Sequence, residues 1–242
     1  MKEQLLYKDL AKYYDLIYDD KDYKHEAQEV LQLIRKYKKS KGNKLLEVAC
    51  GSGKHLQYLK NEFECMGLDL NKDILNIAKK NHPNLKFEEG NMTNFNLHQK
   101  FDVITCLFSS IGYVRTYDNL IKTINNFQKH LQPGGILIIN PWLTPKKYHP
   151  GNPHMTTYKS PDLNIARLHV SKIKGNLSIL EFNYLIAEKN KEVKSFKDKH
   201  ILGLFETQRF LKIMRKEGFQ SFYQTKSKIP GHRGFYVGIL NH

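Results

Sequence analysis

Glu47, Gly51 and Gly53 share one stretch, KLLEVACGSGKH from Lys44 to His55, where an apolar run ends in an acid, a glycine-rich turn and a helix start. These residue types suit a small-molecule pocket. The glycines permit a tight turn and close backbone approach by a ligand, and a carboxylate stands beside them. Spacing then excludes two kinds of loop. A P-loop needs glycine at 48 and Ser or Thr at 55, where Val48 and His55 stand. A dinucleotide fingerprint needs a third small residue, where Leu56 stands. A second acid, Asp69, closes the apolar segment ECMGLDL roughly twenty residues beyond the turn, a position from which a carboxylate accepts from both hydroxyls of a ribose. The alternative is two ordinary strand ends. Farther on, FSSIGYV follows the strand-like FDVITCL directly, which makes Ser109, Ser110 and Tyr113 candidate substrate contacts unless the serines only cap the next helix.

The elements that must carry these residues alternate between strand and helix patterns. Leu5 to Tyr23 holds Tyr7, Tyr13, Tyr14, Tyr18 and Tyr23 among acids, so it reads either as an amphipathic helix with tyrosines on the core or as a lid closing on a ligand. Tyr13 fits the first reading. His25 to Tyr37 repeats apolar residues at helical spacing and Lys41 to Asn43 end it. Leu45, Leu46 and Val48 make a buried parallel strand, Glu64 to Leu70 the next, and Asn71 is placed to cap a helix that stops at Pro83. Leu85 to Gly90 is a short third strand, followed by Asn91 and Met92. Phe101 to Leu107 is the fourth, Tyr117 to Leu131 a helix, and Pro133 to Gly135 turn into a fifth strand, Ile136 to Asn140. Pro141 to Pro161 then reads as a structured loop, and Asn164 to Ile173, Leu177 to Ala187 and Val193 to Gly203 as antiparallel strands. A helix over Glu206 to Glu217 returns to the core pattern, and Phe219 to Thr225 with Phe235 to Leu240 implies a closing hairpin.

A chain of 242 residues with 40% hydrophobic composition suffices for one α/β domain with an embellishment. Cys50, Cys65 and Cys106 form no C-x-x-C pair, which argues against a disulfide framework or zinc site and for a reducing, cytoplasmic setting. No apolar run approaches about 18 residues and the N-terminus has no signal-peptide pattern, so a soluble protein without membrane contact is expected. His149 and His154 precede the strands without a plausible third ligand, so no metal is expected. A formal charge of +15 invites a nucleic-acid reading, but the lysines are spread along the chain, which favours a solvated basic surface.

The glycine turn, with Glu47, Gly51 and Gly53 in place, closely resembles the E/D-x-x-x-G-x-G loop of class I S-adenosylmethionine (SAM) methyltransferases, and Asp69 stands where their ribose acid does. One branch is similar over nearly the whole chain, the amino-sugar N,N-dimethyltransferases. YDLIY, KDY, LLEVACGSGKHL, TCLFSSIGY, PWLTPKKYHPG and the glycine-flanked Arg233 carry that similarity. The resemblance implies an α/β, Rossmann-like fold with a seven-stranded, mostly parallel sheet, one antiparallel strand and an antiparallel β insertion after the fifth strand. It divides one methyltransferase domain into a helical lid (1–43), a SAM-binding core (44–140), a loop and insertion on the substrate side (141–204) and the C-terminal part of the core (205–242).

The resemblance further implies SAM as cofactor, with S-adenosylhomocysteine as product. Tyr14, Tyr23, Glu47, Ala49, Gly51, Gly53, Asp69, Leu70, Asn91, Met92 and Leu107 would line its site. Asn91 stands where an acid is more usual, and its amide oxygen would accept from the adenine amino group without a charge. Tyr7, Ser110, Tyr113, Arg233 and, beside them, Trp142 would face a small amine substrate on a dTDP-sugar, with Tyr113 and Tyr14 nearest the chemistry; Arg233 suits a diphosphate, and Arg167 is by its charge a weaker candidate for it. Other expectations stay open: a glycine or sarcosine type of acceptor, O-methylation, RNA binding, and a monomer or a homodimer.

Overall fold

The computed structural model describes residues 4–225 and 233–241. Its central sheet has seven strands in the order β10-β11-β5-β4-β1-β2-β3. The middle strands are β1 (Lys44–Val48), β2 (Glu64–Asp69), β4 (Phe101–Cys106) and β5 (Leu131–Ile139), which are near-continuous apolar runs as strands covered on both faces must be. Helix α2 (Tyr23–Tyr37), α3 (Leu56–Leu59) and α4 (Lys72–Asn81) cover one face, with Ala27, Val30, Ile34, Leu56, Leu59, Leu75 and Ala78 packed against the sheet. On the other face α5 (Tyr117–Lys129) and α6 (Thr207–Lys216) supply Leu120, Ile124, Phe127, Phe210 and Met214. Each of the fully buried valine, leucine, isoleucine, phenylalanine and methionine side chains stabilises by about 1.5–3 kcal/mol relative to exposure.

Strands β1 to β5 run parallel with β3 (Lys86–Glu89) at one edge, and β11 (Phe235–Leu240) lies antiparallel between β5 and β10 (Phe219–Gln224). The expected single reversed strand is therefore β11. Because β1 lies between β2 and β4, the connections leave it in opposite directions, and a crevice opens at the carboxyl ends of β1 and β4. At the opposite end Asp102 anchors the start of β1, accepting from Gly42 N at 3.1 Å and Lys44 N at 3.1 Å.

Four details differ from the sequence reading. Leu5 to Tyr23 is not one helix: a 3-10 turn (Leu5–Tyr7) and α1 (Ala11–Ile17) precede α2, which starts at Tyr23 because the Asp22 side chain accepts from His25 N at 2.9 Å. Asn71 occupies the N-cap position of α4 but makes no side-chain cap. Pro133 to Gly135 do not precede the fifth strand; they form an irregular start within β5, where the register shifts and the Gly134 carbonyl, at φ +75°, accepts from Lys39 N and Ser40 N. Within the stretch read as a loop, Pro153–Lys159 forms β6, an edge strand whose exposed mixture of Thr, His and Lys carries no apolar alternation.

Strands β6, β7 (Leu163–Lys174), β8 (Leu177–Glu188) and β9 (Lys194–Gly203) make a separate antiparallel sheet in chain order. Its inner face, with Ile165, Leu180, Phe182, Tyr184, Ile186 and Leu202, packs on Leu6, Leu10, Tyr14 and Ile17 of the N-terminal segment. The N-terminal segment is thus held by the insertion as well as placed above the crevice. No helix among the described residues is long and apolar enough to cross a membrane.

Candidate active site

Chain reversals at the carboxyl ends of β1 and β4 require unusual backbone. Ala49 (φ 57°), Gly51 (φ 55°) and Gly53 (φ 82°) shape the turn after β1, and Phe108 (φ 51°) and Ser109 (φ 63°) the one after β4. Left-handed conformations at non-glycine residues cost about 1–3 kcal/mol and persist where the surroundings over-determine them. Here they converge on one crevice. A side chain at Gly53 would sit 2.8 Å from His82 Cδ2, so glycine is needed for space as well as for φ.

The Asp69 carboxylate fixes the first turn, with Oδ2 accepting from Gly51 N at 2.9 Å and Oδ1 from Asn71 N at 3.0 Å. Burial pushes this carboxyl above its usual range, against the lowering effect of the Asn71 and Gly51 N–H groups. Glu47, at the end of β1, is 1% exposed; its Oε1 lies 3.1 Å from His55 Nδ1. His55 Nε2 reaches Glu26 Oε2 at 2.6 Å, and Glu26 also pairs with Lys21. Burial opposes a charge on His55, but Glu47 and Glu26 override it and raise its pKa to about 9. An imidazolium therefore ties the glycine turn to α2. Two polar atoms beside it, Glu47 Oε2 and the Tyr23 hydroxyl, are buried without a hydrogen-bond partner.

Aromatic rings form the wall. Tyr14 lies 5.7 Å from Tyr7 and 5.1 Å from Tyr18 between centroids, Tyr18 lies edge-on to Phe108 at 4.9 Å, and Tyr23 packs edge-on against His55 at 5.0 Å. The Tyr7 and Tyr113 hydroxyls meet at 2.9 Å, and Tyr113 continues to His200 Nδ1 at 2.5 Å. On the β5 side, the Arg233 guanidinium stacks on Trp142 at 4.3 Å and donates to Ser109 Oγ at 3.0 Å, while Ser109 donates to the Pro141 carbonyl at 2.8 Å. No carboxylate among the described residues pairs with Arg233. Among the described residues, no three His, Cys, Asp or Glu side chains are grouped as a metal ligand set.

Comparison with known proteins places this geometry. Residues 45–135 match the methyltransferase domain family. The chain is 32% identical to the dTDP-3-amino-3,4,6-trideoxy-alpha-D-glucopyranose N,N-dimethyltransferase of Streptomyces venezuelae, over 96% of this chain and 98% of the relative. It belongs to the amino-sugar N,N-dimethyltransferase family. A second relative, the dTDP-4-amino-2,3,4,6-tetradeoxy-D-glucose N,N-dimethyltransferase of Saccharopolyspora spinosa, is 34% identical over 96% and 93% of the two chains. The SAM-bound structure of CalS10, an amino pentose methyltransferase from Micromonospora echinaspora, superposes with a TM-score of 0.83 at 25% identity and covers 99% of both chains. Like other members of this family, the protein is a SAM-dependent methyltransferase.

Within this methyltransferase the crevice brings together most of the residues the sequence singled out, and three are placed otherwise than expected. Asn91 Oδ1 already accepts from Thr93 N at 3.0 Å and Thr93 Oγ1 at 2.9 Å, so the acceptor assigned to an adenine is in use. Arg167 is buried and engaged, donating to Thr156 Oγ1 and the Tyr18 hydroxyl while covering the Tyr18 and Phe182 rings, so it buttresses the wall and is no free cation for a diphosphate. Ser110 only starts the 3-10 turn after β4, and its neighbour Ser109 holds Arg233; Thr116, not a serine, caps α5. Met92 packs on the core beside α5, Leu107 is buried, and Leu70 stands 52% exposed at the rim next to Asp69.

Sequence reasoning missed His55 with Glu26, Phe108, and the pair His200 and Asp198. Asp198-Lys199-His200 carried one available signal, since two ionisable side chains at period 2 on a strand share a face, here the same one as Leu202.

Proposed function

We propose that this methyltransferase acts on the amine of an amino sugar carried on a nucleoside diphosphate, adding one methyl group and then a second. The observation that supports it is Arg233, a planar cation stacked on Trp142 with no carboxylate partner among the described residues, at the mouth of a crevice otherwise walled by tyrosines. A bidentate guanidinium suits a diphosphate. The relatives are named for a 3-amino and a 4-amino sugar, so the family leaves the position of the amine open.

For the cofactor, the orphaned Glu47 Oε2 and Tyr23 hydroxyl fit a cationic group, and the aromatic wall attracts one through its ring faces. Asp69 would receive the ribose hydroxyls on lone pairs left by Gly51 and Asn71, and exposed Leu70 would lie under the base. SAM supplies the methyl group as an electrophile. The chain's part is to hold a neutral amine in line: its lone pair is already a competent nucleophile, and orientation alone supplies up to about 7–11 kcal/mol in well-aligned cases. Tyr7, Tyr14 and Tyr113 would do this. The three cysteines are free and buried, in keeping with a cytoplasmic enzyme, which acts as a monomer or homodimer.

Asp69→Ala is expected to weaken SAM binding by roughly 1.5–3 kcal/mol, the loss of charge-assisted hydrogen bonds, read by calorimetry with SAM and its demethylated product. The substrate reading is tested by mass spectrometry of SAM-dependent products from a panel of dTDP-amino sugars, glycine, sarcosine, small phenols and RNA. Gains of one and two methyl groups on an amino sugar are expected. Turnover confined to glycine, to an oxygen nucleophile or to RNA would refute the assignment.

A further inference from the structure

Methylation leaves nitrogen positively charged and with an N–H proton to lose before a second methyl can be added. From Tyr113 a continuous hydrogen-bonded line leads away from the crevice. Tyr113 donates to His200 Nδ1 at 2.5 Å, which fixes the neutral imidazole as the Nε2–H tautomer, and Nε2–H donates to Asp198 Oδ2 at 2.9 Å. The Tyr7 hydroxyl, 2.9 Å away, completes the Tyr113 oxygen as an acceptor. Both far members are almost fully buried, His200 at 3% and Asp198 at 7% exposure. The line runs along the face of β9 that packs under the N-terminal segment.

We infer that His200, held by Asp198 and acting through Tyr113, takes up the proton the amine releases. This rests on the amine-methylation reading. The N–H proton moves to the Tyr113 oxygen as the phenol's own proton moves to Nδ1, giving an imidazolium that Asp198 holds by a charge-assisted bond. Once the product has left, the imidazolium returns its Nδ1 proton through Tyr113 to water entering the crevice, which restores the Nε2–H tautomer. Burial pushes the Tyr113 phenol far above its usual range, so it conducts a proton without resting as a phenolate. Burial works against the Asp198 carboxylate, but His200 and the Leu6 backbone N–H, at 2.9 Å, bring it below the usual range, so it stays charged opposite the imidazolium. The other groups facing His200 are Tyr7 at 5.8 Å, Phe182 edge-on at 5.1 Å and, on β7, His169. His169 is held neutral, its pKa lowered to about 4 by burial first and then by His154, Arg167 and His200. His200 is left as the uptake group.

His200 and Asp198 are positioning residues in this scheme, so the test compares pH profiles of kcat for the wild type, His200→Asn and Asp198→Asn on whichever acceptor the product panel identifies. Asparagine at 200 still offers Tyr113 an oxygen but binds no proton; at 198 it still accepts from Leu6 N–H. An amine with a pKa near that of an α-amino group, about 8, is mostly protonated at pH 6.5. There, each variant is expected to lose at least about tenfold, below the roughly 10²–10⁴-fold of a general acid–base group in direct contact because these residues act through Tyr113. By pH 9.5 the loss should close to within about threefold, with SAM affinity unchanged throughout. An equal loss at every pH, or none, overturns the relay, and either variant alone decides it if the other does not fold. Wild-type turnover confined to an oxygen acceptor would refute the amine reading on which the relay rests, an outcome read from the product panel and distinct from a flat pH profile on an amine.

Discussion

His55→Leu is expected to lower the unfolding free energy by about 3–5 kcal/mol at pH 7, the cost of leaving charges buried after one partner is removed. Glu47 and Glu26 are each 1% exposed, and the imidazole bridges them through both ring nitrogens, at 3.1 Å and 2.6 Å. Leucine restores bulk but leaves two carboxylates facing one another with Lys21 as their nearby cation. Urea denaturation measures the change; a loss under about 1 kcal/mol would mean that the carboxylates are neutral. The same side chain gives the wild type a pH signature. His55 is raised from 6.5 to about 9 in the fold, so its stabilising contribution is fully present below pH 6.5 and is lost as pH rises through about 9. A shift of that size corresponds to about 3 kcal/mol, partly offset because burial raises Glu47. The unfolding midpoint should fall between pH 7 and 10 in the wild type and stay flat there in His55→Leu.

Arg233→Ala is expected to reduce kcat/KM for a nucleotide-linked amino sugar by about 2–5 kcal/mol, roughly thirtyfold to several thousandfold, as for truncation of one member of a desolvated charge pair. SAM affinity should be retained, since the residue sits on Trp142 and Ser109, away from Asp69. Little structural loss should follow, because Ser109 keeps its bond to the Pro141 carbonyl and Trp142 its bond to Ser178 Oγ at 2.8 Å. Arg233→Lys should recover only part of the activity, lacking the planar fork. Steady-state kinetics with calorimetry separates the two effects; equal losses in SAM binding and turnover would remove Arg233 from the substrate side.

The sheet was legible in the sequence because its strands are short apolar runs between turn residues, and its site because a glycine turn and an acid at a second strand end have a fixed spacing. Local signals were weaker elsewhere. Strand β6 is an exposed edge whose composition resembles a loop, and Asn91 and Arg167 were read by type and position, whereas their hydrogen bonds are settled by Thr93, Thr156 and Tyr18. His55 and Glu26 come from elements distant in sequence, as do Tyr113 and His200, so no periodicity announces that they meet.

The packing of the N-terminal segment against the β insertion also sets an order of assembly. The Leu6 N–H bonds to Asp198, 192 residues away, and Leu10, Tyr14 and Ile17 share a cluster with Phe182 and Leu202. During synthesis the first twenty residues leave the ribosome long before their partners, while the apolar strands from Leu45 onward can already begin to pair. Contacts of such long separation form late because the loop between them must first be closed. Tyr7 and Tyr14 therefore reach their places only after β9 has emerged, so a nascent chain that has not yet made β9 lacks the walled crevice.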